Sequence, residues 1–238
     1  MTTQELIAAI RVRLDDQIVP YLASTATILE QLSLTQTEFA RSTLALFSVA
    51  TGTITAANPW LTLPTDMFLV KVVVLNGLQL RAVTSSELDF GYYTFNNTEN
   101  EGSFSNWRAA TGTPKFIVVD MYSDKVRLVP TPISNATVSV EGFVVPPDVF
   151  YDGVGTTVNP QIPEVYHEIL MAGTLLRLYM LFEVDILNPS KAQLYAAQWQ
   201  QGLVDAQNIL QTPLRRQMRL MELSRGFSYL TPPVEQKA

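Results

Sequence analysis

Residues 163–212 constrain the fold most, because two long segments there repeat apolar residues at helical intervals. In the first, PEVYHEILMAGTLLRLYMLFEVD, the apolar positions are Val165, Ile169, Ala172, Leu176 and Tyr179. In the second, NPSKAQLYAAQWQQGLVDAQNILQ, they are Ala192, Tyr195, Trp199, Gly202, Ala206 and Ile209. Residues three and four apart share one helix face, so each segment predicts an amphipathic helix. Asn188 supplies an N-cap acceptor, and Pro189 has its φ preset for a first turn. The connection is short, which predicts antiparallel arms that close their seams on each other. At ~1.5 Å per residue each arm is about 30 Å long. The hairpin is a scaffold without evident chemistry of its own.

Around this hairpin, the composition permits a large core. Of the 238 residues 47% are hydrophobic and 16% charged, values that exclude a disordered chain and suit one large domain or a domain with an insertion. There is no cysteine, which removes disulfides, thiolate metal sites and cysteine nucleophiles together. The opening MTTQELIAAI lacks an apolar signal core, so the expectation is synthesis in a cytoplasm without a cleaved leader. The longest apolar run, Ile169–Phe182, has 14 residues and includes Arg177. A bilayer span takes about 20 residues, so the expectation is a buried helix and no membrane.

From the N-terminus, Thr2-x-x-Glu5 has capping-box spacing and predicts a helix with Leu6, Ile10 and Leu14 on one face, ended by Asp15-Asp16 and Pro20. A second helical stretch runs from Ser24 to about Ala50 through Ile28, Leu32, Phe39 and Phe47, with a break near Leu34 and a restart at Thr35-x-x-Glu38. At Thr51-Gly52 the period changes to two. FLVKVVVLNGLQLRAV reads as two strands around a type I′ turn at Asn76-Gly77. Thr84-x-x-Glu87 caps one short turn, and Phe90–Trp107 reads as a long surface loop. KFIVVD, KVRLVP and ATVSVEGFVVP predict three more strands, cut off at Thr131-Pro132 and Pro146-Pro147. The predicted fold is α+β: an antiparallel helical bundle (1–50 and 162–212), an inserted small antiparallel β domain (51–148), a return linker (148–161) and an extended C-terminal tail (213–238).

Catalytic signatures are sparse. His167 is the single histidine. Glu164-x-x-His167 has the spacing of a di-iron helix, but that site needs a second such motif and no second histidine exists. His167-Glu168 opens a zincin-like pattern, yet position 171 is Met. A serine triad has no Gly-x-Ser-x-Gly elbow, and no Gly-rich phosphate loop occurs; Gly153-Val-Gly155 follows a loop and reads as a turn. Asp15/Asp16 is a carboxylate pair of a kind common in acidic proteins. The expectation is no catalytic residue, no metal and no cofactor, with His167, Thr174 and Arg177 forming a polar stripe on a buried helix.

The tail is the one basic segment. Residues 213–238 hold Arg215, Arg216, Arg219, Arg225 and Lys237 against Glu222 and Glu235, a net of +3; with −6 overall, the rest of the chain carries −9. Such a body is a poor general DNA binder, since phosphate affinity needs clustered cations. Leu214, Met218 and Met221 share a helical spacing, with Arg215, Arg216 and Arg219 off that stripe and Phe227, Tyr229 and Leu230 beyond it. An amphipathic, Met-bearing end of this kind predicts a docking segment for a partner groove. The plainer alternative is a helix folded back on its own bundle.

The order of these parts resembles the head-to-tail connector (adaptor, or head-completion) proteins of tailed, particularly short-tailed, bacteriophages. The resemblance rests on TEFARSTLAL, on SNWRAATGTPKFIVVDMYSDKVRLVPTP and on IPEVYHEILMAGTLLRLYMLFEVDILNPSKAQLYAAQW, which together span most of residues 35–200. Residues 18–34 depart from it, with IVPYLASTATILEQL where a polar, acidic helix start belongs. The resemblance implies a structural virion protein of the neck, not an enzyme. Its copies would form a homo-oligomeric ring, twelve in this family, beneath the portal protein. The ring would extend the channel through which DNA passes without specific binding, and would attach tail or nozzle proteins. It also implies that the portal is met by the C-terminal segment, at Leu214, Arg215, Arg216, Met218, Arg219, Met221, Phe227 and Tyr229. The competing readings are another neck or tail-tube component that never touches the portal, a hydrolase or metal-dependent enzyme using His167, and a DNA-binding protein using Arg215, Arg216 and Arg219.

Overall fold

The computed structural model describes residues 1–19, 21–90, 107–146, 159–181 and 189–228, with side chains as far as 212. The chain forms two units, Met1–Ala45 with Asp148–Ala238, and Leu46–Pro147. The fold class is α+β, as the sequence predicts.

In the first unit, α1 (Thr3–Leu14) starts at the expected capping box: Thr2 Oγ1 accepts from Glu5 N–H at 3.2 Å, and Glu5 Oε2 accepts from Thr2 N–H at 2.8 Å. Leu6, Ile10 and Leu14 are buried, and Asp15 ends the helix in the left-handed region at φ 63°. α2 (Thr25–Thr43) is capped by Ser24, whose hydroxyl accepts from Thr27 N–H. Two expectations are corrected here. No break occurs near Leu34, because the buried Thr35 hydroxyl donates to the Gln31 carbonyl at 2.7 Å and so leaves the helical ladder intact. The helix also stops at Thr43, with Leu44 left-handed at φ 59°, and Phe47 belongs to a strand.

A 3₁₀ turn (Glu164–Tyr166) leads into α4 (His167–Leu181), and α5 (Pro189–Ser228) begins at the predicted proline. On the predicted face of the first arm Ala172 and Tyr179 are buried, and only Val165 needs correcting. Val165 is 77% exposed, whereas Leu170, Leu175 and Leu178, off that seam, are fully buried. α4 packs against α1, α2 and α5, and a helix covered on several sides has no single apolar stripe. The seam of the second arm holds through Trp199, Gly202 and Ala206 but ends before Ile209, which is exposed. Ile169 packs on Gly202, Trp199 on Gly173, and Tyr195 on Tyr179 with rings 5.8 Å apart. These contacts run in reverse order along α4 and α5.

The second unit contains β1 (Phe47–Ile54), β2 (Trp60–Thr62), β3 (Met67–Leu75), β4 (Leu78–Val83), α3 (Ser85–Asp89), β5 (Thr111–Gly112), β6 (Phe116–Val118), β7 (Lys125–Val129), β8 (Thr131–Pro132) and β9 (Ala136–Val144). The hairpin at Asn76-Gly77 is present, with φ 48° and 83° and Leu75 paired with Leu78. Thr84 and Glu87 form the expected capping box of α3. The sheet differs from the antiparallel one predicted. Seven strands are ordered β1-β9-β3-β4-β6-β7-β2, and β4 pairs with β6 in parallel. Between them the chain passes through α3 and the stretch to Lys115, long enough for the crossover that a parallel pair requires. Thr131-Pro132 does not interrupt pairing but forms β8, which pairs in parallel with β5. Val73, Leu75, Leu80, Ile117, Leu128, Val138 and Val140 fill the core of the sheet.

Within the predicted 90–107 loop, residues 91–106 lie outside the described residues, as do most of the 148–161 linker and Gly153-Val-Gly155. Trp107 is not a surface residue. It is 3% exposed and packs with Val83, Leu88, Val118 and Val129.

Candidate docking site

The tail is not a separate helix after an arm. The α5 backbone stays helical through Pro213 to Ser228, which places Leu214, Arg215, Arg216, Met218, Arg219, Met221 and Phe227 on the same helix as Trp199. Their side chains, and Tyr229 altogether, lie outside the described residues. Helical geometry puts Leu214, Met218 and Met221 along one side of α5.

What positions this segment is the packing of α5 before it. Trp199 is held by Phe39, with ring centroids 6.3 Å apart, and by Gly173, which Thr35 also approaches. Next to Ala206 and one turn farther on, Gln207 and Gln211 both donate from Nε2 to the Ser42 carbonyl, at 3.0 and 3.2 Å. Ser42 lies in the last turn of α2, where carbonyls lack helical partners, so the two amides satisfy an end that would otherwise need water. These are the last described anchors before the tail.

His167 is 4% exposed, and its Nε2 donates to the Ile162 carbonyl at 2.9 Å, tying down the turn that starts α4. Thr174 bonds the Leu170 carbonyl within the helix, and Arg177 pairs with Glu38. Glu164 is turned to solvent and takes a hydrogen bond from the Met1 amino group, which holds its carboxyl below the usual range. Among the described residues no three His, Cys, Asp or Glu side chains gather as a metal site, and no described helix is long and apolar enough to cross a membrane.

Sequence reasoning missed a cation and aromatic cluster on the β unit. Lys125 lies 4.3 Å from the Tyr122 ring and 5.1 Å from Trp60, Arg127 lies 5.3 Å from both Trp60 and Trp107, and Arg108 lies 4.3 Å from Trp107. Arg108 also pairs with Asp89, which accepts from the Trp107 indole at 2.7 Å. The Arg108 hydrogen bond, then that of Trp107, holds the Asp89 carboxyl below its ordinary value. Burial, then repulsion from Arg108, lowers the Arg127 pKa. The alternation Lys125-Val126-Arg127 was the available signal, because strand residues two apart share a face.

With two units and a helical tail segment in place, the comparison with known families is decisive: the family model described as SU10 adaptor protein matches residues 1–220. The chain belongs to the SU10 adaptor protein family. No curated protein matches it. Membership makes it a bacteriophage structural protein with an adaptor role, a virion component that associates with other head and tail proteins. The adaptor match takes in both units and runs into α5, reaching Leu214, Arg215, Arg216, Met218 and Arg219 but not Met221, Phe227 or Tyr229.

Proposed function

We propose that the protein is a head-to-tail adaptor of the virion neck whose copies form a ring, a dodecamer by family resemblance, below the portal. The family match over residues 1–220 carries this reading. The ring extends the DNA channel, passes the genome on ejection without binding it specifically, and attaches tail or nozzle proteins. It acts without catalysis and without a cofactor. The helices of Met1–Ala45 and Asp148–Ala238 act as an antiparallel bundle, a reading supported by the reversed order of the α4 and α5 contacts. The 51–148 insert presents its surface to tail components, with 148–161 as the return linker.

The 213–238 segment docks on the portal, through Leu214, Arg215, Arg216, Met218, Arg219, Met221, Phe227 and Tyr229. Support comes from α5, which continues beyond its anchor at Ser42 with an apolar stripe flanked by arginines. A body of net −9 suits a DNA conduit, because a wall poor in cations releases few counterions and does not hold the duplex.

The test is native mass of the protein alone and mixed with the portal protein of the same virus. A multi-copy complex with portal is the expected result, lost when residues 213–238 are removed while the circular dichroism spectrum keeps its β and core-helix signal. Attachment that survives the truncation removes the tail from the contact. Failure of the intact chain to bind portal removes the adaptor placement.

A further inference from the structure

We propose that Ile18, Val19, Tyr21 and Leu22 of one copy seat in the groove between α1, α4 and α5 of the next copy. This contact deepens the ring reading above and rests on it.

The apolar projection is a built feature. Ile18 is 83% and Val19 71% exposed, and Tyr21 and Leu22 are also open to solvent. A run of this kind ordinarily collapses inward or stays unstructured, yet here its base is fixed by a buried ion pair. Arg11 donates to Asp16 Oδ2 and to the Ala23 carbonyl, both at 3.0 Å, and to Thr25 Oγ1. Asp16 in turn accepts from the Leu22 and Ala23 N–H groups at 2.6 and 3.0 Å. The Arg11 guanidinium also stacks 3.8 Å from the Tyr21 ring. Burying two charges is expensive and needs every polar atom paired. The outcome is that Asp16 ties together the two ends between which Ile18, Val19 and Tyr21 are exposed, which lowers the ordering cost of a contact.

A receiving surface exists on the same unit. An open groove of about 370 Å³ is lined by Arg13 of α1, Glu168, Ile169 and Ala172 of α4, and Leu194 and Tyr195 of α5. Ile169, Ala172 and Leu194 give it apolar surface beside Gln198, Leu194 is exposed, and the charges in its lining cancel because Arg13 and Glu168 pair at 2.6 Å.

The occupant follows from charge. Each copy carries −6, and outside the basic tail the body carries −9, so two bodies meet most cheaply through surfaces without net charge. The projection has no exposed charge and the groove is neutral, whereas a cationic partner would select an acidic surface. The two surfaces are different, so the contact is heterologous, the type that closes into rings.

The chain has no cysteine, so a Val19→Cys, Leu194→Cys double variant reports the contact without background. The full-length variant is mixed with portal protein under mild oxidation and run on a denaturing gel. The expected result is a ladder of covalent oligomers from the double variant. An equal mixture of the two single variants gives covalent dimers only, and each single variant alone stays monomeric. Ile18→Asp, at a position already in water, is expected to lower the assembled fraction by about tenfold at fixed concentration. A double variant that assembles by native mass but forms no ladder overturns this contact and leaves the ring. So does a disulfide closed within one chain, or a Val19→Cys dimer formed without the groove variant. A chain that never assembles, with portal or without, overturns the ring and this contact together.

Discussion

Gly173 lies so near Trp199 that a Cβ on it would stand 2.6 Å from the indole Cε3, and also 2.7 Å from Thr35 Cγ2. At this point α2, α4 and α5 meet, and the ring of Trp199 occupies the space that a side chain at 173 would need.

Gly173→Ala is therefore expected to destabilise the helical unit. Alanine in a helix interior ordinarily gains about 1 kcal/mol over glycine. Overpacking a closed core costs ~1–3 kcal/mol, and here both neighbours belong to packed helices, so the clash wins. Urea denaturation followed by far-ultraviolet circular dichroism should show a lower midpoint. An unchanged or higher midpoint would mean that the Trp199 side moves freely.

Arg11 and Asp16 test a different balance. Arg11→Met removes one member of a buried pair and strands the other, a change that typically costs about 3–5 kcal/mol. Replacing both, as Arg11→Met with Asp16→Leu, removes the stranded charge but leaves the Leu22 and Ala23 N–H groups without their acceptor. The double variant should then be the more stable of the two, with faster amide exchange at Leu22 and Ala23 than in the unaltered protein.

The acid behaviour of the β unit follows from Asp89. Its folded pKa is depressed, first by the Arg108 hydrogen bond and then by Trp107. A depressed carboxyl contributes stability that is complete above the unfolded value, ~3.9, and is lost as pH falls through the lower folded value. The Trp107 indole N–H resonance should hold its position down to about pH 4 and shift only below it. In Asp89→Asn that low-pH shift should disappear.

Pro213 lies inside α5 and withholds one N–H from the helical ladder. Pro213→Ala restores that donor and removes a penalty of ~3 kcal/mol against alanine. Amides just after residue 213 should exchange more slowly in this variant, and the ellipticity at 222 nm should become more negative.

These elements show what a single sequence discloses. The capping boxes at Thr2 and Thr84 and the Asn76-Gly77 turn were legible because each is decided by residues three or fewer apart. Thr35 was misread as a restart, since a hydroxyl that can cap a helix can also bond the carbonyl four residues back. The parallel pairing of β4 with β6 was not legible, because it depends on where a long crossover returns the chain. Asp15-Asp16 was read as the end of α1, and Asp15 is its C-cap, but the bonds from Asp16 to Leu22 and Ala23 follow from no spacing. The cluster of Trp60, Trp107, Tyr122, Lys125 and Arg127 draws on four separate segments and exists only once the sheet is assembled. The stripe Leu214, Met218, Met221 was visible as a pattern, and the backbone adds that it continues α5.

The continuity of α5 fixes the rotational phase of its last turns, 213–228. Each residue along the helix turns the next by about 100° and advances it by ~1.5 Å. The face carrying Leu214, Met218 and Met221 is thereby indexed to the face on which Trp199 and Ala206 are held. One residue inserted after Thr212 would swing the whole stripe by more than a quarter turn while changing its reach by little. Seven would return it almost to its original bearing, but about 10 Å farther out. The helix is thus a keyed shaft, whose length and twist are separate quantities for whatever would grip its end.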